Sequence, residues 1–337
     1  QLPQQSIRSV LDTENITIQD IDILASHGIT WGDVYDKTLK NYFEGEFGYC
    51  PSIERIHHHD AHAASAYYAS GFNESNIITM DGSGDGISCG FYIGNGDEMD
   101  VVERFDRPNS IGIFYSMITQ YCGFTRDSDE YKVMGLSSYG DRNKYDFSDI
   151  LQFKENKLVI NEKFIKTIKP KESQPTKQEM IYSEKLIEEF GPKRLKNEEL
   201  SKHFQDIAAS AQAHVEKIVI EMIEYMYGKT GIKKLCLAGG VALNCAANQK
   251  IMNLEFIDNF YIQPASNDEG VAIGATYLVG KKHGLKIQPM DSVYLGPEYS
   301  NDEIKKFLEV LNLKYNFEEN PALYAAKKVA KDNVVGW

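Results

Sequence analysis

The sequence predicts an α/β fold, because short apolar runs, glycine turns and helical periodicity alternate along its 337 residues. The apolar runs at 77–80 and 235–237 are each followed by a glycine-containing turn, which is typical of buried strands. Over 197–228, apolar residues recur at helical spacing. Together these patterns predict helices packed against a sheet.

The individual elements follow from the same signals. Residues 1–50 predict helical pieces and a short strand, with Thr17 and Asp20 marking one helix start. A polar stretch with prolines at 170–185 predicts a surface insertion, and a small hairpin is predicted over 151–168. The other predicted elements are strands at 77–80, 88–93, 100–105, 235–237, 260–263 and from 334, and helices at 56–71, 110–123, 197–228, 241–252, 268–280, 302–311 and 321–331.

The composition excludes several classes of protein. A net charge of −13 argues against an extended nucleic-acid-binding surface. The five cysteines are odd in number and form no C-x-x-C pair, which argues against a zinc knuckle or a disulfide framework. No apolar run reaches the roughly eighteen residues that a membrane span needs. We therefore predict a cytoplasmic protein without nucleic-acid or membrane partners.

Histidines are concentrated in one short segment. Four of the eight histidines lie within residues 57–62. His58 and His62 are four positions apart, so on a helix they share one face, as two ligands of one metal ion must. The alternative is a polar helix start with unrelated imidazoles.

Three further motifs lie where a strand meets a turn. Asp81 ends a predicted strand and is followed by glycines that allow backbone N–H groups to approach an anion, although Asp-Gly is also a common hairpin turn. Gly239 and Gly240 join a strand to a helix, either as a nucleotide-binding turn or as a tight connection. Asp268 begins a predicted helix, where it is a metal ligand or simply an N-cap or first-turn acid. Lys132, in the segment 130–136, is either a phosphate- or carbamoyl-binding lysine or a solvated one.

Taken in order, these motifs resemble those of the nodulation-type O-carbamoyltransferases, which include the tobramycin and cephem carbamoyltransferases. The resemblance covers nearly the whole chain and depends on six motifs in the family's order. They are 58–66, 81–84, 110–115, 130–136, 239–244 and the acidic motif at Asp268.

The resemblance implies an actin/sugar-kinase-like ATPase fold, built from duplicated ribonuclease H-like α/β subdomains and partial at both ends. It implies a metal centre, usually iron and here predicted as Fe(II) or another divalent ion. The implied metal ligands are His58, His62, Asp81 and Asp268. The implied catalytic residues are His58, His62 and Lys132. The residues implied to hold ATP or carbamoyl-adenylate are Gly82, Ser83, Gly84, Gly239, Gly240 and Asn244.

The same resemblance implies the reaction. Carbamoyl phosphate and ATP form carbamoyl-adenylate, and the carbamoyl group then moves to a hydroxyl of a small-molecule acceptor, a sugar or natural product. We expect residues 1–286 to be the metal- and nucleotide-binding domain and residues 287–337 to begin a truncated C-terminal lobe, with a homodimer possible. Asp85 stands where the family often has glutamate, and we expect it to contact none of the metal ligands. The alternative function is a kinase-like or nucleotide-sensing ATP-binding module without carbamoyl transfer.

Overall fold

The computed structural model describes residues 3–166 and 179–337, so most of the predicted insertion lies outside the described residues. The chain divides into two compact units, which meet in sequence between Val293 and Tyr294. The first unit holds all the strands of the described residues, and the second holds two short helices. The assignment of the second unit to a further catalytic lobe stays a prediction.

The described residues contain nine strands and eleven α-helices, several of them joined by short 3-10 turns. The strands are β1 (Ile23–His27), β2 (Ser52–Ile56), β3 (Glu74–Gly84), β4 (Ile87–Asn95), β5 (Glu98–Asp106), β6 (Leu151–Lys154), β7 (Lys157–Ile160), β8 (Lys234–Ala238) and β9 (Asn259–Ile262). The helices are α1 (Gln4–Glu14), α2 (Gly32–Phe47), α3 (His58–Ser70), α4 (Ile111–Tyr121), α5 (Glu130–Leu136), α6 (Glu184–Phe190), α7 (Lys202–Thr230), α8 (Cys245–Ile251), α9 (Val271–Lys282), α10 (Asn301–Val310) and α11 (Pro321–Val329).

The central sheet has the strand order β5-β4-β3-β8-β9. The strands β3, β4 and β5 form an antiparallel meander, while β8 and β9 run parallel to β3. In chain order this is 3-2-1-4-5, the arrangement of a ribonuclease H-like subdomain, so the predicted fold class is confirmed. A separate parallel pair is formed by β1 and β2. Within the described ranges, one such five-stranded sheet is present.

Helices cover both faces of this sheet. One face carries the larger core, in which Ile78 and Met80 of β3 pack with apolar side chains of α4 and α7. The other face carries α3, whose alanines pack with Ile77 of β3. Since successive strand residues point to opposite faces, the odd-numbered residues of β3 face α3. The helix α9 approaches α3 closely, because a Cβ on Gly274 would lie 1.7 Å from the Ala61 carbonyl oxygen.

Most predicted elements are present, and the differences have local causes. The helix predicted over 241–252 is a 3-10 turn, Gly240–Leu243, followed by α8, because Asn244 adopts a non-helical conformation and caps α8 through its side chain. Thr17 and Asp20 form the predicted capping box, but the helix that they start is a single 3-10 turn. No strand forms at 334–335. Across the described ranges, no helix is both long enough and apolar enough to cross a bilayer.

Candidate metal centre

Four acidic and imidazole side chains converge beside the central sheet. His58 and His62 come from the first turns of α3, Asp81 from β3, and Asp268 from the 3-10 turn that precedes α9. One potential ligand atom of each residue lies within 4.8 Å of those of the other three. The structure therefore brings together all four residues that the sequence nominated as metal ligands.

The spacing of the ligand atoms matches a single ion. His58 Nε2 lies 3.3 Å from Asp81 Oδ2 and 3.4 Å from Asp268 Oδ1. His62 Nε2 lies 3.8 Å and 3.5 Å from the same two oxygens. Metal–ligand bonds of about 2.1 Å place neighbouring ligand atoms roughly 3.0 Å apart at right angles and roughly 3.4 Å apart in a tetrahedron. These distances thus need little adjustment for an ion to bind.

The environment of His62 suits a bound ion. The His62 side chain is fully buried; among the described residues its Nδ1 has no hydrogen-bond partner, and its Nε2 faces the two carboxylates at distances too long for a good hydrogen bond. A buried polar atom without a partner costs free energy, so its occurrence in a native site calls for an explanation. A cation bound at Nε2 satisfies that atom, and two imidazoles with two carboxylates suit Fe(II) or another borderline divalent ion.

The periodicities of β3 and α3 explain why these side chains meet. Ile77 and Thr79 face α3, since Ile77 packs with its alanines and the Thr79 hydroxyl lies 2.8 Å from His59 Nδ1. Asp81 continues the same odd-numbered face. On α3, His58 and His62 occupy one face because they are four residues apart. The two elements therefore direct three of the four ligands to one point.

Backbone contacts orient the Asp81 carboxylate. Its Oδ1 accepts a hydrogen bond from the Gly240 N–H at 3.2 Å, which leaves Oδ2 directed at the imidazoles. Gly239 makes this possible, because it has a φ of +92° and a Cβ there would lie 2.2 Å from the Met80 carbonyl oxygen. The Gly239 N–H also donates to the Ser266 carbonyl at 2.7 Å, in the loop that leads to Asp268. The paired glycines thus connect both carboxylate ligands.

The charges of the site stabilise one another. Burial lowers the pKa of His58, but the Asp268 and Asp81 carboxylates outweigh burial and raise it to about 9. Hydrogen bonding to His58 lowers the pKa of Asp268. Burial raises the pKa of Asp81, and its interactions with both imidazoles more than reverse this effect and hold that pKa well below its usual value. At neutral pH the His58 ring of the metal-free site is therefore protonated on both nitrogens. A metal ion that binds at Nε2 must displace the proton on that nitrogen.

The other two histidines of the segment have structural roles. His57 caps α3, because its Nδ1 accepts a hydrogen bond from the His59 N–H at 3.2 Å. His59 is fully buried between the Thr79 hydroxyl and the Ile87 carbonyl oxygen, 3.0 Å from its Nε2. Burial, assisted by the neighbouring His62 and His58, lowers the pKa of His59 to about 3. His59 is therefore neutral and shapes the site without joining it.

The structure corrects the expectation about Asp85 and decides between the two forms of the alternative for Asp268. Asp85 does contact a ligand residue, because its carboxylate accepts a hydrogen bond from the His58 backbone N–H at 2.8 Å. Asp85 lies in the hairpin turn between β3 and β4, where Asp85 and Gly86 both have positive φ. The Asp-Gly pair that forms the hairpin turn is therefore Asp85–Gly86, four residues beyond Asp81. Asp268 is not the cap of its turn, because the Asn267 side chain caps it, but Asp268 does lie in the first turn, as the alternative of a first-turn acid predicted.

The remaining nominated residues lie in varied surroundings. The Lys132 ammonium is 2.9 Å from Asp129 and close to the rings of Phe124 and Tyr131, so it contacts residues that precede it closely in the chain. The Asn244 amide exchanges two hydrogen bonds with Gln212, at 2.9 and 3.0 Å. The catalytic role of Lys132 and the nucleotide-binding role of Asn244 stay predictions.

The glycine-rich loop after Asp81 also serves the metal centre. A Cβ on Gly84 would lie 2.0 Å from the His58 ring, so only glycine leaves room for this imidazole. We expect Gly84→Ala to displace His58 and to weaken Co²⁺ binding at least about tenfold, as titration of the metal-free chain would measure. Gly82→Ala is the matched control, because a Cβ there meets nothing within 4 Å. Equal Co²⁺ affinity in the two variants would contradict this explanation of Gly84.

Comparison with known proteins identifies the family. The family model of the carbamoyltransferase N-terminus matches residues 18–277, which include all four proposed ligands. The chain belongs to the carbamoyltransferase family. The resemblance that the motifs indicated is thereby confirmed. This carbamoyltransferase-family chain spans about half the length of the curated relatives that it matches.

Relatives of this carbamoyltransferase-family chain occur in different bacteria. An uncharacterised protein of Synechocystis is 34% identical over 90% of this chain and 51% of its own. The nodulation protein NolO of Bradyrhizobium diazoefficiens is 31% identical over 84% of this chain and 50% of its own. Among solved structures, HypF of T. kodakarensis is 12% identical, with a TM-score of 0.49 over 84% of this chain and 44% of its own, a likeness too distant to inform function.

Proposed function

We propose that this chain is the metal-binding part of an O-carbamoyltransferase. In this proposal, carbamoyl phosphate, ATP and water give carbamoyl-adenylate, pyrophosphate and phosphate, and a hydroxyl of a sugar or natural product then accepts the carbamoyl group. The observation that carries the proposal is the cluster of His58, His62, Asp81 and Asp268 in a chain of the carbamoyltransferase family. A kinase-like role is less well supported, because Mg²⁺ in phosphoryl-transferring sites prefers carboxylates and water to imidazoles.

The four ligands would hold a divalent ion, proposed to be Fe(II), which supplies Lewis acidity toward a phosphate or carbamoyl oxygen when bound. The chain's own residues prepare this site. Gly240 fixes one oxygen of Asp81 and leaves the other for the ion. Asp268 has the most exposed of the four side chains, with 67% of its surface accessible. In this proposal the reactants therefore approach the metal site from the side of Asp268.

In the proposed transfer, the acceptor oxygen bonds to the carbamoyl carbon. The bond from that carbon to the adenylate phosphate oxygen breaks, and AMP and a proton are released. We propose that Gly82, Ser83 and Gly84, with Gly239 and Gly240, face the adenylate. Ser83 supports this proposal, since its side chain is exposed and its hydroxyl makes no hydrogen bond within the described residues.

A cavity next to the glycine-rich loop after Asp81 offers space for the acceptor. It has a volume of about 490 Å³, within the roughly 300–1,000 Å³ typical of small-molecule sites. Gly82, next to Asp81, contributes to its wall, and Pro108 and Ile113 are among its apolar residues. Arg107 and Glu162 add charged groups that suit hydroxyl-bearing ligands. We propose that the acceptor binds in this cavity.

The test uses the complete gene product with carbamoyl phosphate, ATP and a panel of hydroxylated acceptors. We expect AMP to appear only with a suitable acceptor, together with a product whose mass is raised by one carbamoyl group. An Arg107→Gln variant should raise the KM for the acceptor and retain its metal. Formation of ADP with a phosphorylated acceptor would instead establish a kinase. The cytoplasmic location, the homodimer and the absence of nucleic-acid partners stay predictions.

A further inference from the structure

A fifth histidine, outside every motif, contacts the metal centre. His27 is the last residue of β1, and its Nδ1 lies 3.2 Å from Nδ1 of His58. The two rings meet edge to face, with their centroids 5.1 Å apart. We propose that His27 is a positioning residue, which fixes the tautomer and ring orientation of His58 for metal binding. This inference rests on the proposed metal centre.

The hydrogen-bonding capacity of imidazole determines the direction of this contact. A neutral imidazole carries one N–H and one lone pair. If Nε2 of His58 is to bind an ion, its proton must be on Nδ1. That N–H then donates to Nδ1 of His27, which must be the unprotonated nitrogen of the His27 ring. His27 thereby selects the form of His58 whose lone pair points at Asp81 and Asp268.

The two proposed ligand histidines differ in the hydrogen-bond partner of their Nδ1 atoms. Nδ1 of His58 has His27 as its partner, whereas Nδ1 of His62 has none among the described residues. A metal-bound histidine commonly donates its second N–H to another group, and that group raises the basicity of the ligand. His27 therefore supplies His58 with the support that His62 lacks.

The surrounding contacts hold His27 in place. The Asp85 carboxylate accepts hydrogen bonds from the backbone N–H groups of Thr30, at 2.9 Å, and of His58, at 2.8 Å. One side chain thus ties the segment after β1 to the first residue of α3. The Trp31 ring packs edge-on against His27, with centroids 5.3 Å apart. The distance between His27 and His58 is therefore fixed from two sides.

The experiment compares two variants of His27 that differ in hydrogen bonding. His27→Asn keeps an acceptor near the position of Nδ1, whereas His27→Phe keeps an aromatic ring and removes the acceptor. For each metal-free protein we would measure the Co²⁺ dissociation constant and the visible absorption spectrum of the Co²⁺ complex. Thermal unfolding without metal would show whether each variant is folded. His283→Ala, at an exposed ion pair with Glu54, is the control.

We expect His27→Phe to weaken Co²⁺ binding by about 10- to 100-fold and to change the spectrum, because the orienting hydrogen bond is lost. His27→Asn should recover most of the affinity. Equal affinity and spectrum for His27→Phe and the parent protein would overturn the proposal, as would equal losses in both variants with an unchanged spectrum. Carbamoyl transfer is measured separately, so a protein whose Co²⁺ affinity depends on His27 but which transfers no carbamoyl group would refute the proposed function alone.

Discussion

Replacing both His58 and His62 by alanine should abolish metal binding. We expect the purified parent chain to contain about one divalent ion and the double variant to contain less than about a tenth of one, since two of the four ligands are removed. Elemental analysis after removal of loosely bound metal would measure both. The two imidazoles are buried, so circular dichroism should confirm that the variant is folded.

The control for this experiment is His283→Ala, which removes an exposed imidazole from a surface ion pair with Glu54. That variant should retain its metal. If the folded double variant kept a stoichiometric ion, the four-residue cluster would not be the metal site. We expect a large difference in metal content between the double variant and the control, because the cluster contains every residue predicted to be a ligand.

Asp268→Asn should abolish carbamoyl transfer in the complete gene product while leaving carbamoyl phosphate-dependent exchange between ATP and pyrophosphate largely intact. The substitution keeps the shape of the side chain and removes its negative charge, which the proposed ion requires. Because Asp268 also pairs with His58 and His62, thermal unfolding would show that the variant is folded. Product mass and radiolabelled ATP would follow the two steps.

Glu269→Gln is the matched control, because Glu269 is on the same 3-10 turn as Asp268 but its carboxylate is not part of the four-residue cluster. That variant should transfer the carbamoyl group at close to the parent rate. Loss of both transfer and exchange in Asp268→Asn would show that Asp268 supports the structure instead of the reaction.

The sequence predicted the α/β class and most of the elements, because both follow from local periodicity. The i, i+4 spacing of His58 and His62 and the strand before Asp81 were visible for the same reason. Proximity of these residues to Asp268 does not follow from local pattern, and only the ordered series of family motifs indicated it. The length of β3, which continues to Gly84, was underestimated because the strand runs on through glycines.

The contacts around the ligands were the least predictable. The histidine at the end of β1 stands alone after an apolar run, and only its position at a strand end gave any signal. The role of Asp85 was missed because its side chain bonds to groups more than twenty residues away in sequence, Thr30 and His58. Likewise, the steric requirement at Gly84 depends on a ring from another element.

The positions of the four ligands also link metal binding to folding. His58 and Asp268 lie about 210 positions apart in the chain. Bringing the ends of so long a loop together costs roughly 5 kcal/mol of chain entropy in an unfolded polypeptide. An unfolded chain therefore does not present the site, and an ion that binds only the folded form stabilises it by about 2.7 kcal/mol at a hundred times its dissociation constant. In this protein the ion would act as a removable cross-link between the segments that precede and follow the central sheet in the chain.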